Sequence, residues 1–74
     1  NSKTEKEIEF ETGLRNKMKE LKEEYQRTMN LAKIYSNYYK EDKDIYWRSQ
    51  SKWQKEIARN IRIEISGIRF VLGI

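Results

Sequence analysis

The side chains best placed to act in pairs are carboxylates. Glu7 and Glu11, and Glu20 and Glu24, stand four residues apart, which on a helix puts each pair on one face. Two such groups can share a proton for acid–base work or hold a cation. Here they alternate with Lys6, Lys17, Lys19 and Lys22, the pattern of a solvated helix surface. The sequence has no His and no Cys, so the commonest general base, the thiolate nucleophile and the usual zinc ligands are missing. No Gly-rich phosphate loop occurs. The expectation is a non-enzymatic chain, with no catalytic residue, no metal and no cofactor.

The cations are better organised. Arg48, Lys52, Lys55, Arg59 and Arg62 are spaced 4-3-4-3, and Arg69 continues the line after Ser66. On a helix these six project within about 100° of one another. Such a ridge can follow a phosphate backbone, because each Lys or Arg contact releases counterions. It is equally the solvated face of an amphipathic helix. No base-reading pattern accompanies it, since only Gln54 and Asn60 lie at its edges. Rings gather nearby: Tyr35, Tyr38, Tyr39, Tyr46, Trp47 and Trp53. Rings of this kind stack on bases in single-strand binders. Most of these also fall on apolar stripes at helical spacing, so packing is the first expectation for them.

These residues need two helices to position them. Zero Pro and three Gly in 74 residues favour long helices. Thr4-Glu5-Lys6-Glu7 has the form of a capping box. From there Leu14, Met18, Leu21, Tyr25, Thr28, Ala32, Tyr35 and Tyr39 run at spacing 4-3-4-3-4-3-4, flanked by Phe10 and Met29. That is the seam of an antiparallel pair or coiled coil, although Thr28, Ala32 and three Tyr make it an impure one. Lys40-Glu41-Asp42-Lys43-Asp44 breaks the stripe, and Asp42 or Asp44 could cap a second helix.

In the second half, Ile61, Ile63 and Ile65 alternate with Arg62, Glu64 and Ser66, as in a strand. A wider window favours helix. Relative to Ile57, the residues Tyr46, Trp47, Trp53, Ile61, Ile65, Ile68, Val71 and Leu72 fall within about 120° of arc. Gly73 then reads as the terminal glycine, with Ile74 folding back. The alternative is a helix ending near Asn60 and then a strand at 61–66.

The predicted fold is therefore all-α: a two-helix antiparallel hairpin forming one domain over 1–74. It has a helix over about 4–39, a loop over about 40–44 and a helix over about 45–72. In outline alone this resembles the small dimeric helical hairpin that binds RNA in plasmid copy control. No residue motif is shared, so the likeness assigns no role.

A chain this short buries only about 60% of its unfolded surface and gains from added support. Without Cys, that support is expected from self-association into a four-helix bundle or from docking on another protein. Surplus apolar residues supply a candidate surface: Leu31, Ile34 and Tyr38 on the first helix, Ile63 and Phe70 on the second. Lys+Arg 16 against Asp+Glu 12 gives +4, with a pI of about 9.4, which allows nucleic acid as a partner. No apolar run suits a membrane span or a secretory leader, and the lack of Cys fits a cytoplasmic protein. The chain starts at Asn1, not Met, so a longer reading frame is allowed for. Abundant Lys, Ile, Asn and Tyr correspond to AT-rich codons and point to a low-GC bacterium or its phages. The leading expectation is a small protein–protein interaction module, acting as a regulator or inhibitor from a phage or mobile element. Nucleic-acid binding through the basic ridge comes second. A structural helical segment of a larger assembly comes third.

Overall fold

Residues 3–74 are described by a computed structural model. They form two α-helices, α1 (Glu5–Asp42) and α2 (Ile45–Leu72), joined by Lys43 and Asp44. The helices lie antiparallel and side by side as a rod of 60 × 15 × 14 Å. The expected helical hairpin is present.

Local chemistry sets each boundary. The Thr4 hydroxyl accepts a hydrogen bond from the Glu7 N–H at 3.2 Å and starts α1. The charged run 40–44 does not form the five-residue loop expected of it. Lys40, Glu41 and Asp42 continue α1, because Lys and Glu are good helix formers and a solvated turn needs no apolar partner. Lys43 then ends the helix in the left-handed region, at φ 57°, and its N–H donates to the Tyr39 carbonyl at 2.7 Å. That conformation costs a residue with a side chain roughly 1 kcal/mol. The Lys43 ammonium lies 5.9 Å from the Tyr39 ring centroid, which offsets part of the cost. Asp44 caps α2 by accepting from the Tyr46 N–H at 3.0 Å.

α2 runs unbroken through 61–66, so the strand alternative does not form. The short alternation there yields to an amphipathic pattern that spans the whole helix. Gly73, at φ 75°, closes it as expected. The Ile74 N–H donates to the Arg69 carbonyl at 3.0 Å, and the Gly73 N–H to the Phe70 carbonyl at 3.2 Å, the paired bonds of a Schellman ending.

Every member of the α1 stripe reaches the interface. Leu21, Thr28 and Ala32 are buried, and Leu14, Met18, Tyr25, Tyr35 and Tyr39 are half-buried. On α2 the interface runs through Trp47, Ser51, Gln54, Ala58, Ile61, Ile65, Ile68 and Leu72, again at 4-3-4-3-4-3-4. This corrects the stripe that was placed relative to Ile57. Tyr46, Trp53 and Val71 were expected inside but are 53%, 60% and 60% exposed. The seam is turned by roughly 50° about the α2 axis from the middle of that stripe, toward Ser51 and Ala58. Small side chains explain the turn. Thr28, Ala32, Ser51 and Ala58 are all buried in the interface, and the Ser51 hydroxyl donates to the Ala32 carbonyl at 2.9 Å, which brings α2 close to the α1 backbone there. An indole has no room at that level except outside.

The register follows from this bond and from Trp47, which touches both Tyr35 and Tyr38. Counting back from these contacts, α2 ends near the level of Glu11 and Thr12. The start of α1, with exposed Ile8, extends beyond it, and exposed Phe10 lies near the end of α2.

Candidate functional site

An antiparallel pair leaves two long faces, one on each side of the plane through both axes. They differ sharply in chemistry. Arg48, Lys55, Arg62 and Arg69 each follow a seam residue by one, so all four flank the seam on the same side of α2. The matching α1 positions are Arg15, Lys22, Met29 and Ser36, with Lys19, Gln26, Lys33 and Lys40 just outside them. In an antiparallel pair these flanks face each other. The register sets Arg62 opposite Lys22 and Arg69 opposite Arg15.

Two open grooves mark this basic face. One, of about 490 Å³, is lined by Lys33, Lys40 and Lys55 with Gln26 and Asn37. The other, of about 610 Å³, is lined by Lys55, Arg59 and Arg62 against Tyr25 and Met29. They join at Met29 and Lys55. No carboxylate lines either one. By helical spacing Glu20, Glu24 and Glu64 project on the opposite face, while Glu23 and Glu56 project on the outer backs of the helices. Arg59 lies 4.0 Å from Glu56, an exposed contact that holds neither group firmly.

All six ridge residues expected from the sequence, Arg48, Lys52, Lys55, Arg59, Arg62 and Arg69, are exposed on α2. Lys52 and Arg59 sit at the outer edge, and the other four turn toward α1. Sequence reading missed the α1 half. Its signal was available as cations one or five places after seam residues: Arg15, Lys22, Lys19, Lys33 and Lys40.

The opposite face is apolar over its loop-proximal half. Leu31, Ile34 and Tyr38 are 40%, 44% and 43% exposed. They share this face with Tyr46 of α2, half-buried Ile57 lies at its base, and Trp53 stands at its outer edge, where it also lines a groove with Lys52, Lys55, Glu56 and Arg59. Trp47 joins the two sides. Its ring meets Tyr38 edge-on at 5.0 Å and Tyr46 at 4.9 Å, and stacks on Tyr35 at 5.7 Å. Ile63 and Phe70 do not join this patch. They lie on the back of α2, Phe70 86% exposed, and Ile63 edges the groove beside Arg59 and Arg62.

No family model, curated protein or solved structure matches the chain. Among the described residues no helix is long and apolar enough to cross a membrane.

Proposed function

We propose that the chain is a non-enzymatic interaction module that pairs with a second copy of itself through the apolar face, in a cytoplasmic setting. The observation that carries this is Leu31, Ile34 and Tyr38 standing on one face with Tyr46, and Trp53 at its edge. Taking roughly 200 Å² for each full side chain, the exposed fractions leave on the order of 500 Å² of apolar surface per copy. Two such patches facing each other bury about 1,000 Å², the size at which a specific interface begins.

Three features favour a second copy as the occupant. The hairpin core is thin: Leu21, Ala32, Ala58 and Ile61 are its only buried apolar residues among those described. Packing two hairpins face to face gives a four-helix bundle, the usual remedy for such a core. The polar half of this face also carries both signs, with Lys17 and Arg27 beside Glu20, Glu24 and Glu64. A copy can approach it, whereas two basic faces repel. A regulatory role for such a module, as an inhibitor or adaptor of a mobile element, rests on the composition of the sequence.

Sedimentation equilibrium with circular dichroism tests the pairing. Wild type is expected to be a dimer. Leu31→Glu with Trp53→Glu is expected to be a helical monomer, because both positions are exposed in the single hairpin. A wild-type monomer at the highest soluble concentration would overturn the proposal.

A further inference from the structure

We infer that the basic face binds the phosphate backbone of a nucleic-acid duplex without reading its sequence. Six of the eight positions flanking the seam on this side are Lys or Arg: 15, 22, 48, 55, 62 and 69. None is acidic. The eight flanking positions on the other side, 17, 24, 31, 38, 50, 57, 64 and 71, are mixed. Helix pairs usually set opposite charges across a flank. Here Arg62 faces Lys22 and Arg69 faces Arg15, an arrangement that works against the hairpin and is relieved by a polyanion.

The spacing selects the kind of polyanion. Arg48, Lys55, Arg62 and Arg69 repeat every seven residues, or about 10 Å along the axis. With Lys40, Lys33, Lys22 and Arg15 on α1 they form two rows over roughly 30 Å of a straight rod. A duplex is straight on this scale, and that length matches roughly nine base pairs. A single strand would be expected to stack on aromatic rings; of the exposed rings, Tyr38 and Tyr46 project on the other side, and Trp53 lines a groove made by α2 alone, with Lys52, Lys55, Glu56 and Arg59, so no exposed ring stands between the two rows. An anionic lipid surface would be expected to take apolar side chains on the same face as the cations. The contiguous patch of Leu31, Ile34 and Tyr38 lies on the opposite side, while Ile63 and half-buried Met29 edge the basic groove singly and Phe70 stands on the back of α2. Gln26, Asn30 and Asn37 line the groove with further donors to phosphate oxygen.

The test is fluorescence anisotropy with labelled duplexes longer than the rod, over a series of salt concentrations. Expected is binding that is indifferent to sequence, with a log–log salt slope of about −4 or steeper. Lys22→Gln with Lys33→Gln should weaken binding tenfold or more and flatten the slope by about 2. Both lie on α1, outside the α2 ridge, so they test the two-helix face itself. Lys17→Gln with Arg27→Gln removes the same charge from the opposite face and should change neither quantity. Circular dichroism confirms that both variants stay helical. Three results would overturn the inference: no binding to duplex at low salt, equal losses in the two double variants, or equally tight binding to vesicles of anionic lipid at matched salt.

Discussion

Ser51 is buried and donates to the Ala32 carbonyl across the interface. Ser51→Ala keeps the small volume and loses the bond, so it should cost about 1 kcal/mol. Ser51→Leu puts a large side chain where Ser51 meets the α1 backbone at Ala32 and should cost about 1–3 kcal/mol. Thermal unfolding followed by circular dichroism reads both, and a neutral Ser51→Leu would show that the helices are not closely packed there. This residue also explains why the α2 seam was hard to read in the sequence. Choosing seam positions by hydrophobicity draws the stripe toward Trp53 and passes over Ser51 and Ala58. The spacing that identifies Leu14 to Tyr39 passes through both when started from Trp47. Small side chains read as surface because hydrophobicity measures what a residue gains on burial. It says nothing about how closely two backbones can come.

At the scale of elements, both helices were legible, and so was α2 over 61–66. There a six-residue alternation competes with a pattern four times as long. The turn was less legible. Five charged residues with no apolar member look like a loop, yet charge does not break a helix on a solvated turn, and only Lys43 and Asp44 leave it. Gly67 remains a soft point. A Cβ added there meets nothing within 4 Å, and the same holds at Gly13. Gly67→Ala should therefore stabilise the hairpin by about 0.5–1 kcal/mol, chiefly by reducing the freedom of the unfolded chain. Urea unfolding measures this. A destabilising result would mean that another surface closes over α2 at that level.

At the scale of the whole molecule, a net charge of +4 conceals its arrangement. The α2 ridge could be read from spacing, but its α1 counterpart needed the register, which rests on the Ser51 bond and the Trp47 contacts. Because like charges face each other along one side, added salt should raise the melting temperature until the repulsion is screened, within about 10 Å at 0.1 M. Lys22→Glu, set opposite Arg62, should raise it at low salt without added ions. Melting curves over a salt series decide this, and a melting temperature that falls from the lowest salt onward would contradict it. The two long faces also stand back to back. Two hairpins joined at their apolar sides turn both cationic sides outward, in opposite directions. If both proposals hold, such a pair would be a spacer between two polyanions, and once one side is engaged the other would meet its target at a locally raised concentration. The thickness of the bundle, more than the grip of either side, would then fix how closely two duplexes are drawn together.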